Sequence, residues 1–248
     1  MNLQVLTLRR GAEECVACFS SMHEAELQSY ADAVESFLSA AELAVFAGLR
    51  FAQKKQAFLL GRLAAKQALG ALLEEADWRL IDIRSGIFGQ PLVRHARLAC
   101  AEVTVSHSHG LAVALAYPGE WPMGIDLETV SAASAPTVLD ALQASAAEQA
   151  WLASGAIDPA AACGVLWSAR EALGKSMKIG LNCPPGVLSL NHIERHGAAG
   201  WGARYTNFPQ SRCVSQVDSG RVLSMAMPGE VDVTPWPPPL PPPSPCSG

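Results

Sequence analysis

Gly124-Ile125-Asp126-Leu127-Glu128 sets two acids two residues apart in an apolar frame. Residues two apart on a strand point to the same face. Asp126 and Glu128 therefore project together, and Ile125 and Leu127 point into a core. Working backwards, Pro118-Gly119 marks a turn, and Leu111–Tyr117 and Glu102–Ser106 read as strands before it. Working forwards, Asp158-Pro159 is a helix start, with Asp as N-cap and Pro at the first helical position. The helical pattern runs to about Lys178 and stops at Gly180. Ala41–Leu73 reads as a long helix with a break near Gly48, and Val187–Leu190, Ala203–Tyr205 and Arg221–Met227 read as strands of a closing sheet. This is an α+β chain.

A near-repeat refines the architecture. Ala64-Ala-Lys-Gln-Ala-Leu-Gly70 parallels Ser168-Ala-Arg-Glu-Ala-Leu-Gly174 at an offset of 104, and Ala41-Glu42 parallels Ala147-Glu148 at an offset of 106. The expectation is two similar lobes related by a pseudo-twofold axis, each a small, mostly antiparallel sheet packed on a long helix. The boundaries fall at residues 1–118, 119–233 and a Pro-rich tail at 234–248, where eight of the 17 prolines lie between Pro235 and Gly248. Such a tail is expected to be extended and disordered, and a ligand for proline-recognition modules is a second use for it.

Two carboxylates side by side repel unless a cation lies between them. Oxygen donors of this kind suit Mg²⁺, which takes further oxygens from a phosphate-bearing substrate. The alternative is a solvated strand edge. Trp167, Glu171 and Lys175 lie along one helix face. Glu171 there is a third acid and Lys175 a phosphate partner, or the two form a surface ion pair. In the near-repeat Gln67 stands at the position of Glu171, so a duplicated fold would carry one metal site.

Val105-Ser-His-Ser-His109 places hydroxyls and imidazoles at a strand end, where they suit phosphate oxygens. A hydrolase triad lacks its GxSxG elbow. Arg50, Lys54, Lys55, Arg62 and Lys66 form the main basic stretch. They read as a solvated face or as the docking place of an anion.

The 248 residues are half apolar and 17% charged, with a formal net charge of −5. A sizeable core is expected, and a general nucleic-acid binder is not. No apolar run reaches membrane-spanning length and the N-terminal residues lack a signal-peptide core, so a cytoplasmic protein with no membrane partner is expected. The seven cysteines are scattered, and Cys15/Cys18 reads as buried or idle thiols rather than a metal or redox pair.

Phe58-Leu-Leu-Gly-Arg62, Gly89-Gln-Pro91, Val105-Ser-His-Ser108, Gly124-Ile-Asp-Leu-Glu128 and Trp167-Ser-Ala-Arg-Glu-Ala-Leu-Gly-Lys175 occur in one order over residues 39 to 190. Together they resemble the two-lobed type of the 4′-phosphopantetheinyl transferase superfamily. The resemblance implies transfer of 4′-phosphopantetheine from coenzyme A to a serine of an apo acyl or peptidyl carrier protein, with release of adenosine 3′,5′-bisphosphate. It implies that Asp126, Glu128 and Glu171 ligate Mg²⁺ or Mn²⁺, that Glu171 takes the serine proton and that Lys175 pairs with a phosphate. It places coenzyme A against Gly89, Gln90, Pro91, Ser106, His107 and Lys175, with Arg50 or Arg62 assisting. Gln90 and Arg170 stand where such proteins usually carry Lys. Fatty-acid, polyketide and nonribosomal-peptide carriers all remain open, and a monomer is expected. The other reading is a non-catalytic relative that binds coenzyme A or a carrier protein.

Overall fold

The computed structural model describes residues 2–96, 100–197, 200–236 and 240. The first lobe opens with a hairpin, β1 (Asn2–Arg10) and β2 (Glu13–His23), clamped at its turn by the exposed pairs Arg9–Glu14 and Arg10–Glu13. Helices α1 (Glu24–Ala31), α2 (Ala40–Gly48) and α3 (Ala52–Leu73) follow, then a small two-stranded sheet of β3 (Asp82–Ser85) and β4 (Pro91–Arg94), then the hairpin β5 (Ala101–Ser108) and β6 (Leu111–Pro118). The second lobe runs β7 (Gly124–Thr129), α4 (Ala135–Leu142), α5 (Ala146–Ala153) and α6 (Pro159–Ser176), then β8 (Leu190–His196), β9 (Gly200–Tyr205), β10 (Ser211–Asp218) and β11 (Arg221–Pro228). The closing strand β12 (Asp232–Thr234) returns to pair with β1. Among the described residues no helix is long and apolar enough to cross a membrane.

The fold is α+β, as the sequence predicts. Two five-stranded antiparallel sheets, β12-β1-β2-β6-β5 and β7-β11-β10-β9-β8, stack face to face with α3 and α6 on the outer faces. Strand β6 shows how the sequence builds these layers. Its Leu111, Val113, Leu115 and Tyr117 fill the core between the sheets, whereas Ala112, Ala114 and Ala116 face α3. Large side chains on one face and methyl groups on the other let the helix lie close. Tail residues Trp236 and Leu240 join the inter-sheet core; the rest of the tail, 237–239 and 241–248, lies outside the described residues.

The near-repeat has a structural cause. Ser39 and Ser145 N-cap α2 and α5 in identical capping boxes with Glu42 and Glu148. Each of these glutamates then receives a buried cation from the long helix of its lobe: Lys66 reaches Glu42 at 2.6 Å and Arg170 reaches Glu148 at 2.6 Å. Lys66 also donates to the carbonyls of Trp78 and Ile81, and Arg170 to those of Leu142 and Pro185. The basic-face expectation is corrected here: Lys66 is 0% exposed and is a core residue.

A second repeat, absent from the sequence reading, joins the two hairpins. Residues 101–120 and 211–230 align at an offset of 110, both ending in Pro-Gly-Glu. Both turns use left-handed residues, His109-Gly110 (φ 45° and 74°) and Ser219-Gly220 (φ 49° and 78°), which suits two-residue hairpins of right-handed twist.

Other expectations shift locally. The break near Gly48 holds, since α2 ends there and α3 begins at Ala52. The strand predicted at Val187–Leu190 starts only at Leu190, because Pro184-Pro185 forces a 3₁₀ turn over Pro185–Leu188. Cys15 and Cys18 lie on opposite faces of β2, one toward each core, and burial raises both thiols.

Candidate active site

Strand β7 lies against α6 at unusually short range, and Gly124 is the reason. A Cβ there would sit 2.0 Å from the Ala172 carbonyl oxygen and 2.5 Å from the Ser176 nitrogen, both backbone atoms. Ser168 Oγ, buried in α6, donates to the Asp126 carbonyl at 3.0 Å and locks the register. Ile125 and Leu127 enter the inter-sheet core, which leaves Asp126 and Glu128 facing α6 and Glu171. Gly124→Ala is expected to cost about 1–3 kcal/mol through overpacking and to displace Asp126 from Glu171. Thermal denaturation and an activity assay read both effects; a variant of unchanged stability and activity would show that the close approach is unimportant.

The second lobe holds all three acids, and their electrostatics are coupled. Burial pushes the Glu128 carboxyl up to about 7, with Asp126 and Glu171 adding to the rise, while Lys175 and a hydrogen bond from Trp167 oppose it. Burial and then Asp126 raise Glu171, against Lys175. Asp126 Oδ1 accepts from Lys175 Nζ at 2.7 Å and from Ser106 Oγ at 2.8 Å. Its other oxygen, Oδ2, is buried and has no hydrogen-bond partner among the described residues.

This donor set is tested against Mg²⁺ by its chemistry. An orphaned buried carboxylate oxygen and two carboxyls raised by burial and then by neighbouring acids leave negative charge poorly compensated, which a small hard cation suits. As they stand, no three His, Cys, Asp or Glu side chains among the described residues are grouped so as to hold a metal ion. Lys175 supplies part of the compensation instead.

The raised carboxyls have a consequence for pH. A carboxyl whose folded pKa lies above its unfolded value favours the folded state at low pH. That contribution is lost as pH rises, for Glu128 between 4.5 and about 7. A cation between the acids offsets the loss. Mg²⁺ is therefore expected to raise the melting temperature more at pH 8 than at pH 6, measured by thermal shift. An equal rise at both pH values would exclude these acids as the binding site.

A cleft of about 210 Å³ opens where β5 of one lobe meets the C-terminal part of α6 of the other. Glu171 and Lys175 line one wall, and the Gly89-Gln90-Pro91 turn lines the other. Side chains of β5 stitch the seam: Thr104 accepts from the Ile125 nitrogen at 3.3 Å, and Ser106 reaches Asp126. Of the predicted residues, Glu171, Lys175 and the Gly89-Gln90-Pro91 turn share this cleft, whereas Asp126 and Glu128 are not part of its lining.

Other predicted residues are engaged within the fold or lie away from the cleft. Ser106 is buried and committed to Asp126. His107 lines a separate groove with Lys54, Gln53 and His109, on the far side of β5 from the acids. Arg62 packs over Phe58 and pairs with Glu42 at 3.0 Å. Arg50 is exposed and lines neither opening. Gln90 accepts from the Phe88 nitrogen at 2.9 Å, which ties its amide into the turn. Arg170 is the buried partner of Glu148 and faces away from the cleft.

Sequence reasoning missed Glu102, Tyr117 and Lys178, which also line the cleft. Glu102 lies on β5 and Lys178 just beyond α6, too far apart in sequence for spacing to join them.

None of the curated proteins matches the chain. Among solved structures it is similar to a holo-(acyl-carrier-protein) synthase from Bacillus anthracis str. Ames in complex with CoA (3′,5′-ADP), at 21% identity over 46% of this chain and 94% of that one, with a TM-score of 0.36. A holo-ACP-synthase from Plasmodium yoelii is similar at 15% identity over 47% and 95% of the two chains, TM-score 0.36. A Helicobacter pylori holo-[acyl-carrier-protein] synthase in complex with coenzyme A is similar at 18% identity over 40% and 96%, TM-score 0.35. Residues 122–226 match the family model of the 4′-phosphopantetheinyl transferase superfamily, and this is the segment that holds Asp126, Glu128, Glu171 and Lys175.

Proposed function

We propose that this protein transfers 4′-phosphopantetheine from coenzyme A to a serine of an apo acyl or peptidyl carrier protein, releasing adenosine 3′,5′-bisphosphate. The observation that carries this reading is the cleft that sets Glu171 and Lys175 against the Gly89-Gln90-Pro91 turn, with Asp126 held behind it by Lys175 and Glu128 raised by both other acids. The family match over residues 122–226 supplies the reaction class. The solved structures named above, two of them complexes with coenzyme A or its nucleotide, suggest the same co-substrate.

Asp126, Glu128 and Glu171 would hold Mg²⁺, which when bound supplies neutralising charge to a pyrophosphate. The protein's own groups do the rest. Glu171, whose carboxyl burial and Asp126 raise, is placed at the cleft to take the proton of the attacking serine hydroxyl. Lys175 donates to Asp126 at 2.7 Å and is placed to share that contact with a phosphate oxygen. Ser106 fixes the Asp126 carboxylate. The cleft walls hold the nucleotide between the lobes and orient its phosphates toward the acids. Because both walls come from one chain, a monomer suffices.

The test follows adenosine 3′,5′-bisphosphate released from coenzyme A by chromatography. Release is expected only when an apo carrier protein and Mg²⁺ are both present. Release without a carrier would mark a phosphohydrolase, and coenzyme A binding without release would mark a non-catalytic relative.

A further inference from the structure

Among the described residues, two cations line the inter-lobe cleft. Lys175 is engaged by Asp126. The second, Lys178, pairs with Glu102 across the seam between the lobes. Its backbone is fixed by the end of α6. The Lys178 N–H donates to the Lys175 carbonyl at 3.0 Å and the Ile179 N–H to the Gly174 carbonyl at 2.9 Å. This is a Schellman closure, and Lys178 occupies the position where glycine is the common choice. At φ 60° a lysine is strained there and a glycine is not.

The closure does not require a positive charge. In the sister lobe the end of α3 closes in a related way, and its left-handed residue at φ 51° is the exposed Glu74. The charge of Lys178 therefore needs a reason outside helix termination. Its surroundings offer one. The opposite wall, at Gly89-Gln90-Pro91, presents no charged side chain, and Gln90 is tied to Phe88. Glu102 is itself held by the Tyr117 hydroxyl at 3.3 Å, so it steadies the ammonium at the cleft. An ammonium has three donors, and one contact to Glu102 leaves two for an anion.

We infer that Lys178 binds a phosphate of coenzyme A, with a hydrogen bond to Glu102 holding its ammonium at the cleft. This rests on the proposed function. The experiment is calorimetric titration of coenzyme A into the wild type, Lys178→Gly, Lys178→Arg and Glu102→Gln, together with transfer kinetics and melting temperatures. Lys178→Gly is expected to raise the Kd for coenzyme A about tenfold, the loss of one charge-assisted hydrogen bond. It should raise KM alike, leave kcat within about twofold, and melt at or above the wild-type temperature. Lys178→Arg should retain binding. Glu102→Gln, which keeps a hydrogen bond but removes the competing charge, should bind coenzyme A as well as the wild type or better. Unchanged affinity in Lys178→Gly overturns the inference. So does weakened binding in Glu102→Gln, which would mark the pair as a structural latch. A wild type that binds no coenzyme A would instead remove the functional reading itself.

Discussion

Glu171→Ala is expected to lower carrier-protein modification by about 10³-fold, the scale set by removing a group that stabilises or activates the transition state. The loss should come without a loss of fold. Glu171 is half-buried, and its raised carboxyl shows that the folded chain tolerates its charge poorly. The alanine variant should therefore melt no lower than the wild type without metal, and should lose most of the stabilisation by Mg²⁺. Initial rates and thermal shifts with and without Mg²⁺ separate these outcomes. Wild-type activity in Glu171→Ala would remove Glu171 from the site, while loss of activity through unfolding would leave the metal shift uninformative and make Glu171→Gln the deciding variant.

Glu148→Ala is expected to have the largest effect on stability. Arg170 is 3% exposed and Glu148 is 0% exposed. The carboxylate also accepts from the backbone nitrogens of Ser145 and Leu190. Removing it strands a guanidinium that cannot shed its proton in a buried site. The expected cost is about 3–5 kcal/mol, or a melting temperature lower by roughly 10–15 °C. Glu42→Ala in the sister lobe should cost less. Lys66 can deprotonate, and burial already lowers its pKa, while Arg62 is near enough to the surface to turn outward. The difference should widen as pH rises, because only the lysine can neutralise. Equal losses in the two variants at every pH would contradict the pairing assigned to each lobe.

These two sites also show what the sequence makes legible. The acids were readable because period-two alternation fixes which residues share a strand face, and because an Asp-Pro cap dates the start of α6. Both are local rules. The near-repeat was readable at Ala64–Gly70 because long helices keep their spacing. It was unreadable in the hairpins, although Pro-Gly-Glu at 118–120 and at 228–230 marks both ends. The strands between tolerate almost any apolar residue, so only their turns resemble each other. The structure also explains why one lobe carries the site. Asp126 lies opposite Ser224 as Ser20 lies opposite Ala114, and Glu128 opposite Val222 as Met22 lies opposite Ala112. The first lobe thus places Ser20, Met22 and Gln67 where the second places Asp126, Glu128 and Glu171.

The fate of each charge was not legible. Lys66, Arg62 and Arg50 look alike in sequence, yet one is buried, one is packed on an aromatic ring and one is exposed. Burial is decided by the sheet that α3 lies on and by a capping glutamate on the preceding helix. Likewise the pairing of Glu102 with Lys178 exists only because β5 meets the end of α6 at the seam.

The central claim is that the coupled acids and the facing turn make one active site for phosphopantetheine transfer. Its most direct measurement is the intact mass of a panel of apo carrier proteins after incubation with this protein, coenzyme A and Mg²⁺. The account predicts that at least one carrier gains the mass of 4′-phosphopantetheine on its serine, and that the gain disappears when Mg²⁺ is chelated. Carriers that keep their apo mass under every divalent metal, while the protein still binds coenzyme A, would contradict it.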